Sequence, residues 1–141
     1  MNDKVFVDTN ILLYAYDKDA GEKHHRAKAA IQNVWETQEG VLSTQVLEEF
    51  YVNVTRKIPR PLSRAEAREV IGQYVVWEIV TIDGPMVLEA SRVEERSRLS
   101  FWDALIVVSA QKGGATLLLS EDFFHGQQLG GLVIQNPFRA A

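Results

Sequence analysis

The sequence predicts an α/β fold: a central parallel β-sheet flanked by α-helices, an α/β/α sandwich. Its short apolar runs are continuous rather than alternating, as in Val5-Phe6-Val7, and a strand apolar on both faces belongs in a sheet covered on both sides. These runs alternate with longer helical stretches, the pattern of repeated strand–helix–strand units. Length bounds the arrangement. The 141 residues suit one domain spanning 1–141, because a chain near this size buries roughly 68–70% of its unfolded surface in one core.

Val5 to Val7 is the first strand, and Ile11 to Tyr16 follows as a short helix with Thr9 or Asn10 available to cap it. Glu22 to Thr37 is the second helix and Val41-Leu42 the second strand. Gln45 to Lys57 forms a helix whose apolar face is Leu47, Phe50, Tyr51 and Val54; Pro59 and Pro61 stop it before the next helix, Arg64 to Val76. Ser63-Arg-Ala-Glu66 and Ser100-Phe-Trp-Asp103 both have capping-box spacing, in which the hydroxyl and the later carboxylate satisfy orphan N–H groups. Between them, Glu78 to Ile82 is a strand, and Asp83-Gly84-Pro85 enters the helix Pro85 to Arg98. The helix Phe101 to Lys112 ends at Gly113-Gly114, and Thr116 to Leu119 and Leu132 to Gln135 complete the strands. There is no internal repeat or low-complexity segment.

Composition narrows the function classes. With 46% hydrophobic and 24% charged residues the chain reads as a soluble globule, and no apolar stretch approaches the roughly 20 residues that span a bilayer. The N-terminus does not resemble a signal peptide. Cys 0 excludes a disulfide framework, a thiolate nucleophile and a cysteine metal site, and fits a reducing, cytoplasmic setting. A net charge of -4 argues against general coating of nucleic acid. The basic residues nevertheless cluster at Arg56, Lys57, Arg60, Arg64 and Arg68, with Glu66 the single acid between positions 55 and 68. By itself this is a solvated helix connection; beside a site for a polyanion it becomes a phosphate-contacting patch.

The acids give the chain its chemistry. Asp8 ends an apolar strand, and an ionised carboxylate costs several kcal/mol to bury alone. Ligands of open parallel sheets bind outside the carboxyl ends of the strands, where Asp8 lies and where Thr116 to Leu119 runs into Ser120, Glu121 and Asp122. Asp103 shares a helical stripe with Ile106, Val107 and Ala110, so it faces inward unless capping alone accounts for it. Glu48 and Glu49 lie on opposite flanks of their helix, and periodicity does not choose between them. If these carboxylates meet, each pair at about 4 Å repels by about 4 kcal/mol at an effective dielectric near 20. Such a cluster is protonated or holds a cation, and oxygen ligands without cysteine or organised histidine select Mg²⁺ or Mn²⁺. His24, His25 and His125 read as surface residues.

VFVDTNILLYAYD, STQVLEEFYVNVTRK, SFWDALIVVSA and LLSEDFFHGQ, in this order, resemble the four acidic motifs of PIN-domain ribonucleases. The likeness runs from Val5 to Phe138 and is strongest to the virulence-associated protein C (VapC) toxins of bacterial toxin–antitoxin pairs. It implies that Asp8, Glu49, Asp103 and Asp122 form a catalytic metal site. Glu49 is selected over Glu48 because the family places its acid directly before the aromatic, here Phe50. It points to Asn10, Ser120 and Thr9 as polar groups supporting the acids. It further implies an endoribonuclease dependent on Mg²⁺ or Mn²⁺, a small antitoxin protein that neutralises it, and a homodimer; beside such a site the clustered Arg56, Lys57 and Arg60 would contact RNA phosphates.

The same residues admit other readings. Asn10 or Thr9 can be a helix cap, Ser120 can close a turn, and Trp102 reads as a core aromatic with base stacking as its alternative. A haloacid-dehalogenase-like phosphatase also uses a strand-terminal Asp, but expects an acid two residues later, where Asn10 stands. A noncatalytic RNA- or protein-binding module on the same fold, and an RNA-processing nuclease without an antitoxin, complete the alternatives.

Overall fold

In chain order the elements are β1 (Lys4–Val7), α1 (Thr9–Tyr16), α2 (Glu22–Thr37), β2 (Glu39–Ser43), α3 (Thr44–Arg56), α4 (Arg64–Tyr74), β3 (Glu78–Val80), α5 (Gly84–Ser97), α6 (Phe101–Lys112), β4 (Leu117–Leu119), β5 (Gln128–Leu129) and β6 (Leu132–Gln135). The computed structural model describes residues 3–139; positions 1–2 and 140–141 of the expected 1–141 domain lie outside the described residues. Every expected strand and helix forms, with ends displaced by at most two residues.

The sheet has the order β3-β2-β1-β4-β6-β5. The neighbours from β3 to β6 pair in parallel, with Phe6 opposite Val41 on one side and Leu118 on the other. The chain steps from β1 to β2 to β3 in one direction, then crosses back over the sheet to β4. Right-handed crossovers place the helices of opposite steps on opposite faces. Consistent with this, α1 packs on α2 and α3, and α3 on α4, whereas α5 packs on α6. Val5, Phe6 and Val7 are therefore buried from both sides, which accounts for their unbroken apolar run. Short β5, antiparallel to β6, has no apolar run to announce it; it is a hairpin closed by Gly130-Gly131, with Gly130 at φ +64, where glycine carries no Cβ penalty.

Two local features matter for the site. Ala104 through Ala110 are buried all round α6, so the stripe expected to distinguish Asp103 is part of a wholly buried helix and cannot by itself orient that acid. At the opposite edge, Trp77 lies directly against Gly40 of β2, where a side-chain Cβ would fall inside the indole. Trp35 and Tyr74 hold that indole at ring separations of 4.9 and 5.0 Å. Among the described residues, no helix is long and apolar enough to cross a membrane.

Candidate active site

From β1 the chain departs toward β2, and from β4 it departs the other way, toward β6. The adjacent carboxyl ends of β1 and β4 are thus a topological switch point, where open parallel sheets form a crevice. Asp8 stands there. Its N–H extends the ladder to Leu119 O at 2.9 Å, and its carboxyl is only 4% exposed. One oxygen accepts the Thr9 N–H at 2.7 Å and the other the Ser120 hydroxyl at 2.7 Å. Asp8 is consequently the N-cap of α1, in place of the expected Thr9 or Asn10, whose side chains are used elsewhere.

Those two side chains reach the other acids. The Thr9 hydroxyl donates to Glu49 Oε1 at 2.7 Å, and Asn10 Nδ2 donates to Asp122 Oδ2 at 2.9 Å. Ser120 also accepts the Asp122 N–H at 3.1 Å, so it closes the turn after β4 while holding Asp8. Glu121 turns away to the Tyr14 hydroxyl at 2.9 Å and Lys23 at 2.8 Å. Glu48 is exposed to solvent, whereas Glu49 is half-buried and aimed inward. From the other helical layer, Asp103 donates its N–H to Ser100 Oγ at 3.1 Å. That is the first half of the expected capping box; Ser63 and Glu66 of α4 make both halves.

Asp8, Glu49, Asp103 and Asp122 line one cavity of about 260 Å³, with Thr9, Asn10, Leu13, Gln45, Asn53, Trp102 and Ile106 completing its wall. Gln45 and Asn53 escaped the sequence reading. Their signal was present, since Gln45, Glu49 and Asn53 at four-residue steps share one face of α3. Gln45 Nε2 joins the two helical layers, donating to Glu49 Oε2 at 3.3 Å and to Trp102 O at 3.4 Å. Trp102 is 61% exposed at the rim and not a core aromatic: the first turn of α6 projects beyond the layers that bury Ala104 to Ala110.

The electrostatics follow from burial and from the company of like charges. Burial, reinforced by Asp122 and Asp103, pushes the Asp8 carboxyl up to about 7 despite opposing hydrogen bonds from Ser120 and Thr9. Asp103 is also raised, chiefly by burial and then by Asp122, with Glu49 adding a smaller contribution and Ser100 opposing. Among the described residues no three acidic, imidazole or thiol groups are already drawn into a cation cage. The lining nevertheless fits a hard cation. Its charged donors are all carboxylate oxygens, neighbouring acids raise the proton affinity of Asp8 and Asp103, and among the described residues the buried Gln45 Oε1 has no hydrogen-bond partner.

Outside the cavity, Arg56 and Lys57 are exposed at the far end of α3. Arg56 is seven residues beyond Glu49, hence on nearly the same helical face and about 10 Å along the axis. Arg60 is forked onto Asp19 at 3.0 and 3.2 Å. His25 and His125 are exposed, but His24 is half-buried, donating Nδ1–H to Tyr14 O at 2.9 Å.

Residues 5–123 match the family model for the PIN domain. The chain belongs to this family. Solved structures with the same PIN fold include a toxin–antitoxin complex from Klebsiella pneumoniae, at TM-score 0.70 and 16% identity, covering 94% of this chain and 97% of that one. Mycobacterium tuberculosis VapC20, described as a Sarcin-Ricin loop cleaving toxin, aligns at TM-score 0.62 and 18% identity over 81% of this chain and 86% of its own. VapBC2 from Rickettsia felis, bound to a promoter DNA fragment, aligns at 0.63 and 16% over 94% and 98%. No curated protein matches the sequence.

Proposed function

We propose that this PIN domain is a metal-dependent endoribonuclease that hydrolyses RNA phosphodiester bonds, and that it serves as the toxin of a type II toxin–antitoxin pair. The observation that carries the catalytic reading is Asp8: a buried carboxylate among other acids, held by Ser120 and Thr9 in a cavity open to a ligand. A binding module has no use for that electrostatic burden. Asp8 and Asp103 would hold the principal Mg²⁺ or Mn²⁺, with Glu49 and Asp122 taking its waters or a second ion. Bound there, the cation makes a coordinated water more acidic and stabilises charge on the phosphoryl and leaving oxygens. Thr9, Asn10, Ser120 and Gln45 keep the carboxylates aimed at the cavity, so little reorientation is needed when substrate arrives. Arg56 and Lys57 extend from the site along α3 and are placed to meet RNA phosphates; Arg60 joins them on leaving Asp19.

The toxin role, a small antitoxin partner, a homodimer and a cytoplasmic setting rest on the family likeness and on the fold shared with the toxin and toxin–antitoxin structures. A phosphatase of the strand-terminal Asp type is disfavoured, because its second acid is here Asn10, engaged with Asp122. The test is cleavage of total cellular RNA by purified protein in Mg²⁺ or Mn²⁺, with chelator and an Asp8→Asn preparation alongside. Discrete fragments that require both metal and Asp8 are expected. Undiminished cleavage by the variant would overturn the site; RNA binding indifferent to chelator, without cleavage, would favour a noncatalytic module.

A further inference from the structure

The exposed Trp and Phe side chains among the described residues are Trp35, Trp102 and Phe124, at 41%, 61% and 83% exposure, and of these Trp102 alone lines the acid cavity. One exposed apolar side chain is unremarkable by itself, but an exposed tryptophan on the wall of the acid cavity offers an apolar face to whatever enters there. One neighbour touches the indole and another anchors the backbone that carries it. Phe101 stands edge-on behind it at 5.3 Å and 80°, and the Trp102 carbonyl accepts Gln45 Nε2 at 3.4 Å, tying this turn of α6 to α3.

Charge points to the kind of ligand. The cavity wall is acidic and repels a polyanion, and a cationic side chain at the rim would be drawn onto the acids. An uncharged aromatic face avoids both effects and still offers affinity, because every nucleobase has a face that stacks. Bases inside a duplex are already stacked, so the surface suits a base splayed from a loop or single strand.

We propose that Trp102 is the platform on which an unpaired base of the RNA substrate, beside the cleaved phosphodiester, stacks. The inference rests on the ribonuclease reading above and deepens it: Trp102 selects RNA that can present a free base at the cleavage point.

The experiment uses an oligoribonucleotide spanning a cleavage site mapped with the wild-type protein, and a series in which each base near that site is removed in turn. Binding is measured in the Asp8→Asn background with Trp, Phe or Ala at position 102. At one position, base removal is expected to weaken binding to the Trp102 protein about 5- to 150-fold, the factor one stacked base contributes. Trp102→Ala is expected to lose a similar factor on the intact RNA and to become indifferent to the missing base, with Trp102→Phe retaining part of the discrimination. In otherwise wild-type protein Trp102→Ala raises KM more than it lowers kcat, with unchanged thermal unfolding. If wild-type protein cleaves RNA but Trp102→Ala binds equally well, or base removal costs both proteins the same factor, the stacking inference falls and the ribonuclease reading stands. If wild-type protein neither binds nor cleaves RNA, both fall.

Discussion

Without metal, the protein should lose stability as pH rises from 5 to 8, and Asp8→Asn should abolish most of that loss. Burial, with smaller contributions from Asp122 and Asp103, raises the Asp8 carboxyl from the usual 3.8 to about 7. Between those values the folded chain holds a proton that the unfolded chain has released, so unfolding free energy falls as pH rises. The protonated-state stability is fully present below about pH 4 and is lost as pH climbs through about 7. The whole gap, at about 1.4 kcal/mol per pH unit, is roughly 4 kcal/mol; about one unit has passed by pH 5, which leaves about 3 kcal/mol between pH 5 and 8. For a chain of this size that corresponds to a fall of roughly 6–12 °C in Tm. Asparagine fits the site: its oxygen can accept the Thr9 N–H, and Ser120 can turn its hydroxyl to accept from the new amide. Thermal and urea unfolding in chelator across this pH range is the assay. Metal-free Asp8→Asn should be the more stable protein at pH 8, and Mg²⁺ or Mn²⁺ should stabilise wild type far more than the variant. A wild-type profile flat from pH 5 to 8, or an equal slope in Asp8→Asn, would refute the reasoning.

Thr9→Val removes the hydroxyl that holds Glu49 Oε1 and should reduce metal-dependent cleavage at least tenfold while shifting unfolding by about 1 kcal/mol, the worth of one hydrogen bond; kinetics and unfolding on one preparation check the split. Gly40→Ala drives a methyl into the Trp77 indole, which Trp35 and Tyr74 keep from retreating, and should cost about 2–3 kcal/mol in urea unfolding with no change in the metal dependence of cleavage. Ser63→Ala opens the capping box of α4, remote from the acids, and should cost about 1 kcal/mol in the same assay with cleavage unaltered.

The parts of the fold legible in the sequence were those with a local physical cause. Val5-Phe6-Val7 is a buried parallel strand because it is apolar without alternation, and Ser63 starts α4 because its hydroxyl and Glu66 satisfy free N–H groups. Motif order singled out four acids that line one cavity, whereas their coming together depends on β1 and β4 being neighbours, a pairing that no local pattern encodes. What escaped was decided by tertiary surroundings. β5 has too few residues to show a period, and α6 lies between α5 and the sheet, so its buried face is not a stripe. Trp102 belongs to the same helix and was expected inside; its first turn clears the packing that covers Ala104 to Ala110.

Asp8 joins these levels. As the residue after β1 it carries the ladder to Leu119, as the N-cap of α1 it accepts from Thr9, and as an acid it faces the cavity with Asp103 and Asp122. The first two roles fix its position, and a carboxylate so fixed cannot swing into solvent to escape its neighbours. Relief must come from a proton or a cation. If the cavity holds a divalent ion as proposed, the same constraint that lowers stability in the metal-free state near neutral pH would raise its affinity for that ion, since binding would remove a burden that the fold otherwise carries. A site assembled from mobile surface acids would gain no such increment, because they would separate when no cation was bound. On this argument stability and metal affinity are linked through one residue: replacements of Asp8 that make the empty fold more stable should be those that hold metal least well.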